Sequence, residues 1–348
     1  MKIALVELSE SHEECLYSQV KFLVDAGYDV FLIIHPKINI EGYRELVTHV
    51  YYYNFDALSK LKRIPLQIKL TKYLKNFDKV IFNTASSSKS LRNIVFLLNA
   101  YQTECIGIIH HVRKLNKSFT QKIISAKIKK YFALSDSLKN NIQVKDTGVR
   151  LESFYPIFFP SVERLPLNKK ENEIWICIPG RVFYDRKDYQ FLLGQLSKFK
   201  LPTHLKFIIL GNINNHDGLQ LKQQLENHQL SDAFIIFDQF VPNNVFYNYI
   251  QQSDFIMPLL QKHDKDYIDS KITGAFNLAF GFKKPLLFHE FYKEIPDLRK
   301  NGICYNEHNF ETTLTSIANK SFDMNTLYQD VKWSYNHQQK KYINFINS

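Results

Sequence analysis

The chain has 348 residues, 45% of them hydrophobic, and a formal net charge of +11, enough apolar material for large cores and a length that predicts two domains. No run approaches the roughly 20 apolar residues needed to cross a bilayer, and residues 3–6 are too short a stretch for a signal peptide, so the expected location is cytoplasmic. The four cysteines, Cys15, Cys105, Cys177 and Cys304, form no C-x-x-C and no metal spacing, which argues against a disulfide framework and predicts reduced, mostly buried thiols.

In the first half, short β-like runs at 2–8, 29–34, 79–83, 104–110 and 130–134 alternate with amphipathic helical stretches such as 13–26 and 86–99. That alternation predicts a parallel sheet wrapped by helices. The loop after the first run, LSESHEE, has no glycine and sets His12, Glu13 and Glu14 at a strand-to-helix junction. An imidazole or carboxylate there can take a proton from a hydroxyl; the alternative is an acidic helix start capped by Ser11.

Residues 59–79, SKLKRIPLQIKLTKYLKNFDK, are basic and amphipathic around a proline. They read as an interfacial helix for anionic lipid headgroups or as an ordinary domain helix with a solvated Lys face. The serine-rich TASSSKS (84–90) follows a strand end and either contacts a substrate or caps a helix. His110 and His111 follow another strand end, as ligand contacts or as structural histidines. Residues 1–165 hold 24 Lys and Arg against 15 Asp and Glu, a net of +9, leaving +2 for the remainder. A basic half suggests an anionic partner, such as nucleic acid, a membrane leaflet or a phosphorylated substrate, with Lys-rich composition drift as the alternative.

Residues 155–172, with three prolines and a polar cluster, are the expected linker. The alternation then resumes at 173–178, 205–210, 233–237, 254–258 and 284–288. The expected division is 1–164, 165–325, and a C-terminal helix over 326–348 that packs back on the first domain, with Trp333, Tyr335, Tyr342 and Phe345 as the candidate docking residues. The fold class is α/β, two Rossmann-like doubly wound domains facing a cleft, with ligands beyond the carboxyl ends of the strands.

In ICIPGRVFYDRKDY (176–189), Pro179-Gly180 ends a strand and Arg181, Arg186 and Lys187 follow before a helix. Guanidinium forks, a point charge and a helix N-terminus together suit a phosphate; the alternative is a solvated loop paired with Asp185 and Asp188. In DYIDSKITGAFNLAFGFKKPLLF (266–288), Thr273, Gly274 and Ala275 open a helix whose backbone can approach a diphosphate, unless the small residues only permit tight packing.

At these residues the second half resembles the donor domain of GT-B glycosyltransferases of the family-4-like group. The matching features are Gly180-Arg181 with Arg186 or Lys187; FIIFDQFV (234–241); SDFIMP (253–258); and Asp269 and Asn277 at the spacing of the family's two glutamates, followed by Gly281 and Pro285. The resemblance implies a nucleotide-diphosphate sugar as co-substrate, a UDP-sugar foremost, with no other cofactor and no metal. It assigns Arg181, Lys187, Arg186, Thr273, Gly274 and Ala275 to the diphosphate, Asp269, Lys271 and Asn277 to sugar and ribose, and Phe237, Gln239 and Phe240 to the nucleobase. His12, Glu13 and His111 are the catalytic candidates. The implied activity is hexosyl transfer, with retention, to a saccharide or lipid-linked saccharide in cell-surface glycan assembly, carried out on the inner face of a membrane; the glycine-free SHEE loop leaves inversion open, with Glu13 or His12 as base. An epimerase of the same fold, a non-catalytic relative and a nucleic-acid binder are the alternatives; no nucleic-acid-reading motif is present.

Overall fold

Why these residues form two sheets follows from the central strands, which are near-continuous apolar runs buried on both faces, as parallel sheets require. In the computed structural model, which describes residues 1–86 and 88–348, the first sheet has seven strands. They are β1 (Lys2–Glu7), β2 (Asp29–Ile34), β3 (His49–Tyr52), β4 (Lys79–Phe82), β5 (Glu104–Ile108), β6 (Lys130–Ala133) and β7 (Arg150–Ser153). Their order is β3-β2-β1-β4-β5-β6-β7, and every pairing is parallel. The second sheet comprises β8 (Ile174–Pro179), β9 (Leu205–Asn212), β10 (Phe234–Phe237), β11 (Phe255–Ile256), β12 (Leu286–His289) and β13 (Gly302–Tyr305). Its order is β10-β9-β8-β11-β12-β13, again all parallel. Both are doubly wound, as expected.

Two compact units result: one of residues 1–160, 269–272 and 334–348, the other of 161–268 and 273–333. Local hydrogen bonds explain the first division. Phe158 exchanges bonds with Ser18 Oγ at 2.9 and 3.0 Å in the first unit, while Asn248 in the second holds Glu163 O and Leu165 N, each at 2.8 Å. Residues 161–164 therefore travel with the second unit.

In the first unit the alternation of β1 sorts its side chains into two cores. Ile3 and Leu5 face helix Leu16–Asp25 and the C-terminal helix Tyr335–Asn347, whose Tyr342 ring stacks on Phe132 at 4.6 Å. Ala4 and Val6 face helices Lys60–Leu74, Lys89–Leu98 and Phe119–Lys127, laid side by side on the opposite face. In the second unit, Ile174, Ile176 and Ile178 pack under helices Tyr189–Leu196, His216–Asn227 and Phe310–Ala318.

The stretch 326–348 is divided rather than continuous. Trp333 ends a short 3-10 turn in the second unit with its ring 4.7 Å from Phe280, and the helix starts only at Tyr335, capped by Ser334. Ser88 caps Lys89–Leu98 from the serine-rich run, and Ser87 lies outside the described residues. Three cysteines are buried and Cys304 is exposed. Among the described residues no helix is long and apolar enough to cross a membrane.

Candidate functional site

In a doubly wound sheet the strands on either side of the order reversal send their connections to opposite faces, opening a crevice at their carboxyl ends. In the first unit these strands are β1 and β4. Glu7, the last residue of β1, is 1% exposed, and its buried charge is matched by hydrogen bonds to both oxygens. Oε1 accepts from Ser9 N and Oγ at 2.9 and 2.7 Å; Oε2 accepts from Asn83 Nδ2 at 2.7 Å and Thr84 Oγ1 at 2.6 Å. Asn83 also donates to His12 O at 2.9 Å and accepts from Gln19 Nε2 at 2.6 Å, and Gln19 Oε1 accepts from Tyr342 OH at 3.0 Å.

This buried chain holds the backbone at His12, whose φ of 67° lies in the left-handed region. The N-cap of the following turn is thus His12 and not Ser11, and the imidazole is turned back over the sheet end. There it stacks on His110, with centroids 3.7 Å apart, and its Nδ1 lies 3.6 Å from Glu14 Oε1. His110 Nε2 lies 2.7 Å from Asn83 O; a carbonyl only accepts, so this nitrogen carries the proton.

Burial, assisted by the neighbouring His12, pushes the His110 pKa down to about 3, so it is neutral near pH 7. Burial also opposes charge on His12, but the Glu14 carboxylate outweighs it and the His12 pKa is raised. The converse holds for Glu14: burial opposes its charge, and His12 brings its pKa below the ordinary carboxylate value. The cluster is therefore a neutral imidazole under one that can exchange a proton beside a carboxylate, the arrangement of a general acid or base with an orienting partner.

Of the sequence candidates, His12 stands in this cluster, while Glu13 Oε2 accepts from Asn39 N at 3.1 Å. His111 makes an antiparallel bridge with Lys271; next to it Val112 N donates to Ser270 O at 2.9 Å, and Arg113 pairs with Asp269 at 2.6 Å. Ile272 packs into both cores of the first unit. These contacts carry Asp269 and Lys271 into the first unit, whereas Asn277, eight positions on from Asp269, belongs to the second. Glu7 and Asn83 were not singled out from sequence. The available signal was a polar residue closing each apolar run, KIALVE and KVIFN.

In the second unit the reversal lies between β8 and β11, and Gly180 follows β8 with φ +93°, a conformation that strains any other residue. A Cβ at Gly211 on β9 would stand 2.4 Å from Gly180 O, so glycine is required there for the close approach of the two backbones. Lys187 is only 9% exposed and folds back to donate to Pro179 O at 2.6 Å and Gly180 O at 3.3 Å. Burial pushes its pKa down to about 7. Arg181 and Arg186 are exposed, each guanidinium 5.8 Å from the centre of the Phe183 ring. Asp188 caps the next helix through Phe191 N at 3.0 Å.

Thr273 caps helix Gly274–Gly281, and Gly274 has open space around its Cα. Ala275 is buried, and so is Asn277, whose Oδ1 has no hydrogen-bond partner among the described residues. Phe237 packs edge-on against Tyr249 at 5.0 Å, with Gln239 and Phe240 exposed beyond it. Among the described residues no group of three or more His, Cys, Asp or Glu side chains is placed to hold a metal ion.

No family model matches the chain, and no curated protein matches it at sequence level. Solved structures do resemble it. A HepE protein of Anabaena in complex with UDP is 13% identical over 99% of this chain and 96% of that one, with a TM-score of 0.67. The lipopolysaccharide outer core galactosyltransferase WaaB is 14% identical over 100% and 99%, with a TM-score of 0.60. A UDP-N-acetylglucosamine 2-epimerase of Listeria monocytogenes, itself a provisional assignment, is 9% identical over 100% and 96%, at 0.66. These likenesses show the fold: the chain has the GT-B architecture of nucleotide-sugar glycosyltransferases, which UDP-sugar epimerases share.

Proposed function

We propose that the chain is a glycosyltransferase that moves a hexosyl group from a nucleotide-diphosphate sugar, a UDP-sugar foremost, to a hydroxyl of a saccharide or lipid-linked saccharide. The work would be cytoplasmic, in cell-surface glycan assembly, with no resident cofactor. The observation that carries this reading is the cationic turn on Gly180 at the order reversal of the second sheet, a place suited to a diphosphate. Arg181 and Arg186 present their charges outward there, and Lys187 secures the turn from beneath with an ammonium close to its neutral point. Thr273, Gly274 and Ala275 add a helix N-terminus.

In the transfer, the acceptor oxygen bonds to the anomeric carbon and releases its proton, while the bond from that carbon to the diphosphate oxygen breaks and the electron pair leaves with UDP. Cations and helix dipole would stabilise the developing negative charge. Asn277, with its buried oxygen lacking a partner, suits a hydroxyl of ribose; Asp269 and Lys271 remain proposed sugar contacts, and Phe237, Gln239 and Phe240 base contacts. We take the course as retaining, the proton passing to the departing phosphate oxygen. The contact of His12 with Glu14 favours a second, inverting course in which His12 takes the proton, with Glu13 and His111 as flanking groups.

Melting with UDP, GDP, TDP and their sugars tests the donor reading. Ligand at about 100 times its Kd adds about 2.7 kcal/mol of stability, and no shift with any nucleotide refutes the proposal. If a UDP-sugar is converted to its epimer without acceptor, the epimerase reading replaces it.

A further inference from the structure

In the turn that carries Arg181 and Arg186, six carbonyl oxygens are bound within the second unit. Lys187 Nζ takes those of Pro179 and Gly180, and Phe183 O accepts from Arg186 N at 3.1 Å and Lys187 N at 3.0 Å. The other three, on Tyr184, Arg186 and Lys187, are all taken by Gln261, from the segment that follows β11. Its Nε2 donates to Tyr184 O at 2.5 Å and to Lys187 O at 3.2 Å, and its backbone N donates to Arg186 O at 3.1 Å. Both partners of the side chain are carbonyls, which only accept, so the amide nitrogen and not its oxygen faces the turn.

The backbone that delivers Gln261 is constrained along its length. After β11 the chain passes through Met257 and Pro258 to Leu259, whose φ of 49° is left-handed and unfavourable for a leucine. Leu259 is 2% exposed, and its core packing holds that strain in place. Its O accepts from Asp188 N at 2.9 Å, and Leu260 forms an antiparallel bridge with Lys187. Gln261 closes the apolar run MPLL, and its own backbone O accepts from Tyr292 OH at 2.5 Å.

The electrostatic consequence falls on the proposed anion site. A carbonyl oxygen free to turn towards a diphosphate would repel it; one held by a donor cannot. By contrast, the N–H groups of Arg181, Phe183 and Asp185 meet no acceptor among the described residues. The turn therefore commits its acceptors within the protein and keeps donors open, the polarity of a backbone nest for anions.

We infer that Gln261 is a positioning residue for the donor: it holds the carbonyls of the turn to its own side, so that Arg181, Arg186 and the open N–H groups are left to the diphosphate. The inference rests on the donor reading of this turn and extends it to an uncharged side chain that acts through the turn.

The test titrates the full chain with UDP-, GDP- and TDP-glucose by calorimetry and carries the tightest of the three through two variants at pH 5.5, 6.5 and 8. The diphosphate of a nucleotide sugar stays fully ionised across that range. Gln261→Leu keeps the backbone bond to Arg186 and removes both side-chain bonds; it is expected to weaken donor binding about tenfold, the worth of roughly one net hydrogen bond. Gln261→Glu is expected to weaken it about tenfold or more at pH 8, where an ionised carboxylate has no proton to offer the two carbonyls. Protonated, the carboxyl donates one bond, so the loss relative to the parent is expected to shrink to about threefold at pH 5.5. Comparison with the parent at each pH cancels what Lys187, Asp188, Asp217 and Tyr292 contribute alike to both.

Unchanged donor affinity in Gln261→Leu overturns the inference. So does a loss in Gln261→Glu that is the same at pH 5.5 and pH 8, which marks a side chain with a structural role only. If Gln261→Leu fails to fold, the pH dependence of Gln261→Glu decides alone. A parent that binds none of the three nucleotide sugars loses the donor reading and this inference together; a parent that binds one, with both variants its equal, loses this inference alone.

Discussion

Lys187 gives the chain a pH dependence of stability with a definite sign. Its ammonium is buried against two carbonyl oxygens, and burial lowers its pKa from 10.5 to about 7. Because the folded value lies below the unfolded one, the unfolded chain holds the proton more tightly. The cost to stability is full below pH 7, shrinks as pH rises towards 10.5, and vanishes above it. At about 1.4 kcal/mol per unit the full cost is on the order of 5 kcal/mol, and between pH 7 and pH 9 roughly 2 kcal/mol of it is relieved. Lys187→Met keeps the length of the side chain and removes the charge. Urea unfolding of both proteins at pH 7, 8 and 9 is expected to show the parent gaining about 2 kcal/mol relative to the variant over that range. The difference between the two cancels every group they share. Parallel profiles would refute the reasoning, for they would mean that the two carbonyl oxygens hold Lys187 charged throughout.

Arg181→Ala is expected to abolish stabilisation by UDP in a melting assay while moving the unliganded transition by no more than about 0.5 kcal/mol, since the side chain is exposed. Glu14→Gln removes the charge that raises the His12 pKa, so His12 becomes neutral at lower pH, and the acid limb of kcat/KM is expected to move to lower pH; an unmoved limb excludes His12 as the base. Tyr342→Ala empties a fully buried site between Phe132 and Phe154 and is expected to cost roughly 3–5 kcal/mol by urea unfolding.

The interior of each sheet was legible because central parallel strands are apolar throughout: KIALVE, VIF, ECIGI and IWICI can hardly be anything else. The strands that sequence reading passed over, β3, β7 and β13, all lie at sheet edges. Each has one ladder neighbour and exposed positions, so HVYY, RLES and GICY carry too little apolar bias to stand out from loop. The C-terminal stretch misled for a different reason. Trp333 and Tyr342 are both aromatic anchors in one polar segment, and nothing in their spacing tells that the first packs on Phe280 and the second on Phe132.

Site legibility divides along the same line between what one strand end dictates and what tertiary contact decides. The positive φ of Gly180 and the cations after it follow from a local strand-turn-helix sequence. The stacking of His12 on His110 joins residues on separate loops, and only the buried chain from Tyr342 through Gln19 and Asn83 to Glu7 sets the backbone that allows it. The choice between Glu13 and Glu14 turns on that same backbone: with His12 left-handed, Glu14 meets the ring and Glu13 reaches Asn39. Sequence spacing likewise treats Asp269 and Asn277 as one motif, yet the bridge of Lys271 to His111 and the pairing of Asp269 with Arg113 tie the first half of that motif to the first unit. A carboxylate so held responds to changes at Arg113 more than to changes in helix Gly274–Gly281. If Asp269 and Arg181 have the roles proposed above, Arg113→Ala is therefore expected to lower kcat/KM for a UDP-sugar while leaving the melting shift with UDP in place; a lost UDP shift refutes that division.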